Sequence, residues 1–233
     1  MIRVSDDPAV RTVTLSRPER RNALTRSGLD DLADAVASAD QPVVFLRGAG
    51  PAFCAGADLD VVADLDHDAA VAFAERGQRV ANAIATADGV VVAGVDGAAR
   101  GGGVELALAC DVRVATPDAT FAEPGVELGI FGAWGGTVRL PDVVGQGDAL
   151  DLALSGRTVD AEQARQMGLV SRVVESPRAV ADEIADNDPV ALRVVKERVR
   201  DASAPSVQEA REAGAFGDLV AANASDIAAS REE

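Results

Sequence analysis

Lysine is nearly missing from this 233-residue chain: Lys196 is the only one, the other bases are arginine, and 38 acids against 22 bases leave a net charge of −16. That balance argues against nucleic acid and anionic membrane as partners, since both require a basic footprint. Tyrosine is absent and aromatics make up only 3% of residues, so a core must be packed from small aliphatic side chains. Cys54, Cys110 and His67 are the whole stock of cysteine and histidine, too few for a zinc site or a disulfide framework. No metal is expected, and a reducing compartment suits the two thiols. No apolar run approaches bilayer length, and residues 1–7 lack the apolar stretch of a secretory leader. A soluble, cytoplasmic protein is expected. Dense carboxylates with one lysine fit a halophilic protein kept soluble in concentrated salt, or an ordinary acidic enzyme with an arginine-rich coding bias.

What is present suffices for one core with a small appendage. Residues 10–16 alternate like a half-buried strand and stop at Arg17-Pro18. A helix follows through Leu29, Leu32, Ala33 and Val36, with Thr25 or Ser27 to cap it. Pro42 opens a buried strand over 43–46, and the loop 47–58 is rich in Gly, Ala and Pro. An alanine-rich helix over 68–87 leads to an apolar strand at 90–95, three glycines at 101–103 and a helix through Cys110. A strand at 112–115 and residues 120–122 precede a further glycine-rich loop and several helical stretches. Strands separated by helices predict a mixed α/β layout with parallel pairing. Residues 1–176 are assigned to this core; 177–233 show no strand pattern, and the stripe Val190, Val194 and Val195 predicts a helical subdomain that packs on the core or on a neighbouring copy.

The strongest chemical feature is a buried strand delivering the chain to Gly101-Gly102-Gly103, with a helix starting at once. Amides at a helix N-terminus lack intrahelical partners and favour an oxyanion or phosphate, and glycine lets a ligand approach the backbone. A tight turn needing glycine for geometry alone has the same signature. The spacing is neither GxGxxG nor GxxxxGK[ST], which removes the dinucleotide and P-loop readings. Glu105, in the first turn of that helix, is either a dipole-stabilised carboxylate or an acid/base beside an amide-bound oxygen. A second glycine-rich loop, Gly48 to Leu59, follows a different strand; if the two loops meet, their amides form an oxyanion hole. A Cys54 nucleophile is the rival reading, with His67 its only available base.

Together the two loops resemble the enoyl-CoA hydratase/isomerase (crotonase) family. Ala52-Phe53-Cys54-Ala55-Gly56-Ala57-Asp58-Leu59 is similar to its AFCAGADL loop, and Gly101 to Asp111 to its GGGxELALxCD helix. Arg17-Pro18, Asn22-Ala23-Leu24, Phe121 with Pro124, Leu128-Gly129, Gly135 to Leu140 and Gly168-Leu169-Val170 follow in the family's order. The resemblance implies ββα units wound into a superhelix, with a C-terminal helical part that packs trimers, often paired into hexamers. It places the two oxyanion donors on the amides of Ala57 and Gly102, beside Gly101, and an acid/base on Glu105. It sets Ala55, Ala57, Asp58, Leu59 and Asp60 along the thioester and adenosine, and Arg20 and Arg21 near the CoA phosphates, which guanidinium groups suit. Coenzyme A enters as part of an acyl-CoA substrate, and no permanently bound cofactor is implied.

The family's hydratases carry a second glutamate directly after Pro124, where this chain has Gly125. By extended-chain alternation Glu127, and after it Glu123, is the acid to reach the pocket instead. Trp134 and Phe131 replace small residues and proline nearby, so Trp134 either narrows the acyl pocket or belongs to the core. The C-terminal part is short for the family, so trimer packing is expected to be abbreviated or different. Hydration of a 2-enoyl-CoA is the leading reading. Isomerisation, decarboxylation or C–C cleavage on the same enolate platform, and an acyl-CoA-binding assembly subunit, are the alternatives.

Overall fold

In the computed structural model, which describes residues 1–230, an antiparallel hairpin of β1 (Ile2–Asp6) and β2 (Val10–Leu15) precedes α1 (Arg26–Ala37). Three ββα units follow. The first is β3 (Val43–Gly48), β4 (Ala52–Cys54) and the helices α2 (Leu59–Ala63) and α3 (His67–Ala85). The second is β5 (Val90–Val95), β6 (Ala98–Arg100) and α4 (Gly102–Ala109). The third is β7 (Val112–Ala115), β8 (Thr120–Ala122), a 3-10 turn at Pro124–Leu128 and α5 (Gly136–Ser155), which breaks at Gly145. Then come β9 (Val159–Asp160), α6 (Ala161–Gln166), β10 (Arg172–Val173) and α7 (Pro177–Ala185).

Each unit sends its first strand to one sheet and its second to another. The larger sheet runs β1-β2-β3-β5-β7-β10, parallel apart from the first pair; the smaller runs β4-β6-β8-β9, parallel apart from the last. This winding is the superhelix of ββα units, and it explains the composition of β5, Val-Val-Val-Ala-Gly-Val, buried at every position. A parallel strand covered on both faces has no polar side to show. The strands of the smaller sheet span only two or three residues, too few for alternation to mark, so they fall in stretches that read as loops or helices in the sequence.

Local chemistry sets the helix starts. Thr25 Oγ1 accepts from the Gly28 amide at 3.2 Å to cap α1, and Asp66 accepts from Ala69 at 2.9 Å to cap α3. Helix α4 is different, because it is buried on every face from Gly102 to Ala109. A helix that is apolar all round belongs inside. Its N-terminus meets β4 so closely that a methyl group at Gly103 would lie 2.2 Å from the Cys54 carbonyl oxygen.

The chain divides into two compact bodies, and the larger, Met1–Ala185, runs nine residues past the expected boundary at 176 because it includes α7. Pro177, Val180 and Ala181 are buried on α7, which packs on β3 and β5, and Arg178 pairs with Asp7 at 2.7 Å. Residues 186–230 lie in the smaller body, with α8 (Pro189–Val199), α9 (Pro205–Ala222) and α10 (Ala224–Ala229). Within it Asp201 joins the first two helices, accepting from Arg211 at 2.9 Å and Arg198 at 3.3 Å. Val195, Val199 and Phe216 are more than half exposed.

Gly103→Ala is expected to destabilise the protein by about 1–3 kcal/mol, because the clash is with backbone and cannot be relieved by a rotamer change. Urea unfolding of the two proteins measures it; an unchanged midpoint would contradict the tight α4–β4 contact.

Candidate active site

Two loops converge where the sequence predicts. The Leu24 amide donates to Gly56 O at 2.8 Å and the Asp58 amide to Leu24 O at 3.0 Å, fixing Ala57 between them with its own N–H unengaged among the described residues. Gly102 is the first residue of α4, so its N–H lacks an intrahelical acceptor. Gly56, at φ +84°, carries the first loop against the second: a Cβ there would sit 2.8 Å from the Gly102 nitrogen. The two amides open onto one cavity of about 270 Å³, lined also by Ala55, Leu59, Glu105 and Trp134.

Glu105 is 1% exposed. Its Oε1 accepts from the amides of Trp134 at 2.9 Å and Gly136 at 2.6 Å. Gly132 and Gly136 close around the carboxyl so tightly that a methyl on either would approach it to 2.8 or 2.7 Å. Burial pushes its pKa up, and the amides of Gly136 and Trp134 and the charge of Arg139 pull back. The result is a carboxyl held by backbone at the edge of the cavity.

Trp134 belongs to the core and also lines the cavity. The indole is buried, packs edge-on against Phe73 with ring centroids 6.0 Å apart, and lies between Gly77 of α3 and Gly102 of α4. It is a core residue that also forms the wall beside the amide pair.

Other expected positions sort differently. Asp58 is buried with both oxygens engaged: one pairs with Arg17, which holds its pKa down, and the other accepts from the Asp60 amide at 3.0 Å to cap α2. It shapes the loop that carries Ala57. Arg20 pairs with Asp60 on the surface. Arg21 has no ion-pair partner among the described residues and lines a separate recess of about 330 Å³ with Ala55 and Arg100. Arg100, which the sequence did not single out, donates to Thr120 O at 2.8 Å, and burial followed by repulsion from Arg21 lowers its pKa. Cys54 is no nucleophile: burial raises its thiol to about 12, its Sγ–H donates to Asn22 O at 3.3 Å, and His67 lies exposed at the start of α3.

The second acid also differs from expectation. Glu127 is exposed beside Gly156 and lines neither this cavity nor the one behind it. Alternation does not apply to it, because Pro124–Leu128 forms a 3-10 turn instead of an extended chain. Glu123, the less favoured of the two, is the buried one, at 8% exposure. No alternation in β8 marks it, since Phe121 and Ala122 are both buried, so the packed structure alone identifies it. Burial and then repulsion from Glu105 push Glu123 up to about 8.

Paired sheets wound from ββα units, with two amide-bearing loops and a buried glutamate at one cavity, make this a crotonase-fold protein. A sequence model described as enoyl-CoA hydratase/isomerase matches residues 6–224. A crotonyl-CoA hydratase of Syntrophomonas wolfei is 36% identical over 87% of this chain and 83% of its own length. The crystal structure of an enoyl-CoA hydratase from Thermoplasma volcanium superposes with a TM-score of 0.91 at 31% identity, covering 99% of this chain and 96% of that one. A Thermobifida fusca structure described as an enoyl-CoA hydratase in complex with CoA gives 0.85 at 30% identity, covering 96% and 94%. The chain belongs to the enoyl-CoA hydratase/isomerase family. It is an enzyme with hydratase-like relatives, and among its described residues no helix is long and apolar enough to cross a membrane.

The Glu123 carboxyl makes stability depend on pH. Its folded pKa, about 8, lies above the ordinary 4.5, so the folded state binds the proton more tightly and stability falls as pH rises from 4.5 through about 8. The wild-type Tm is expected to drop more across that window than the Tm of Glu123→Gln, in which Glu105 still titrates but position 123 does not; equal slopes would refute a buried, protonated Glu123.

Proposed function

We propose that this enzyme hydrates a 2-enoyl-CoA, holding the thioester oxygen with the amides of Ala57 and Gly102 and moving protons through Glu105. The supporting observation is their meeting at one cavity: two unengaged N–H groups from separate loops and one buried carboxyl. Fixed amides stabilise a developing enolate oxygen without reorganising at the moment of reaction. The Glu105 carboxylate takes a proton from water as oxygen bonds to Cβ and the C=C pair moves toward the thioester oxygen. The same proton then returns from Glu105 to Cα. Raising a carboxyl by burial brings it nearer the range where it both accepts and gives a proton close to neutral pH. Coenzyme A arrives and leaves with the acyl group, and Arg21, facing its own recess, suits an anionic portion of it better than Arg20, which already has Asp60. The exposed Val195, Val199 and Phe216 support self-association through the C-terminal helices, as trimers or pairs of trimers. The single lysine and the charge of −16 support a cytoplasm rich in salt.

Loss of the conjugated-thioester absorbance of crotonyl-CoA in concentrated KCl tests the assignment. Glu105→Gln is expected to lower turnover at least about 100-fold with crotonyl-CoA still bound. Wild type that binds crotonyl-CoA but never hydrates it rules out the hydratase, and failure to bind any acyl-CoA rules out the site. Gly125→Glu is expected to give no gain in turnover, since a Cβ there lies 2.9 Å from Phe131 Cα and 3.0 Å from Ile130 O.

A further inference from the structure

A second cavity, of about 240 Å³, also ends at Glu105, and it shares Phe131 and Gly132 with the cavity of the amide pair. Its walls are mostly apolar, including Val126, Leu140 and Ala149, yet Glu123 lines it beside Glu105. Glu123 is more than nine-tenths buried, and its Oε1 has no hydrogen-bond partner among the described residues. A buried carboxyl without a partner is costly unless a ligand or water satisfies it. From α4 the charged group facing it is Glu105. From α5 the cavity receives the uncharged Thr137 and Gln146, while Arg139 acts on Glu105, and Glu127 is turned to Gly156.

We infer that Glu123 is a positioning residue for the hydration, its carboxylic acid holding, at the junction of the two cavities, the water that Glu105 activates. This rests on the hydratase reading and supplies the function of the acid that is missing at Gly125. Glu105 takes one proton from the held water, the freed oxygen pair forms the C–O bond at Cβ, the C=C pair shifts to join Cα to the thioester carbon as the C=O pair moves onto oxygen, and that oxygen pair re-forms C=O while the enolate pair at Cα takes the proton back from Glu105. Glu123 keeps its own proton throughout and acts as a hydrogen-bond donor. At neutral pH it is the protonated partner because burial and the neighbouring Glu105 carboxylate both disfavour its charge. Above about pH 8 it ionises, loses the donor and repels Glu105.

The experiment measures kcat and KM for crotonyl-CoA against pH in wild type, Glu123→Gln and Glu123→Leu, with infrared detection of the protonated-carboxyl C=O stretch. Glu123→Gln keeps a donor that cannot ionise, so it is expected to stay active at neutral pH and to lose the alkaline fall near pH 8. Glu123→Leu is expected to lose about 100-fold in kcat at every pH with KM little changed. The wild-type carboxyl band should titrate near pH 8 and be missing from both variants. An active wild type matched by Glu123→Leu, an alkaline fall that survives in Glu123→Gln, or no such band overturns the role of Glu123 alone. A wild type that binds crotonyl-CoA without hydrating it overturns the hydratase reading and this role together.

Discussion

The carboxyl of Glu105 sits in a helix that is apolar on every other side, and much of the site can be understood as the means of keeping it there. An ionisable group removed from water needs donors or loses its charge. The donors are two backbone amides, of Trp134 and Gly136, which reach it only because the chain around it is glycine. Those contacts fix the loop after the 3-10 turn, and the same loop lays the Trp134 indole against Gly102. The buried carboxyl therefore also organises the wall beside the amide pair. Helix α4 is pressed on the first loop through Gly103 and Gly56, so the amides of Ala57 and Gly102 share a cavity for the reason that α4 is buried.

Charge is distributed on the same principle of local need. A protein of net charge −16 can still receive a phosphate-bearing substrate if a few guanidinium groups are kept from acids. Arg17 and Arg20 are committed to Asp58 and Asp60, and the first of these pairs shapes the loop that presents Ala57. Arg21 and Arg100 remain, close enough that their mutual repulsion contributes to lowering the pKa of Arg100. Global acidity and local basicity operate at different ranges, because screening by salt confines each to its neighbourhood.

Long apolar elements were legible in the sequence: β5 and β7 fall where the pattern put them, and α1 and α3 begin at predicted caps or within a residue of the expected start. Buried parallel strands and amphipathic helices impose periods that survive in composition. The smaller sheet was not legible, since a strand of two or three residues is defined by its partners more than by its own side chains. Helix α7 misled for a related reason: its apolar stripe is the same whether it packs on its own core or on another surface, and only Pro177, Val180 and Ala181 meeting β3 and β5 decide it. Glu127 and Glu123 show the limit within the site. An extended chain and a 3-10 turn can share a sequence such as Glu-Pro-Gly-Val-Glu, yet they send their side chains to opposite places.

The sequence by itself determined the family, the two glycine loops, Glu105 and the loss of a carboxyl at Gly125, because these are properties of residue type and order. Only the tertiary structure decided which neighbouring acid is buried, that Asp58 pairs with Arg17, and that Arg21 faces a recess while Arg20 faces Asp60. Burial and pairing belong to the space between elements distant in the chain, and no local pattern of side chains encodes that space.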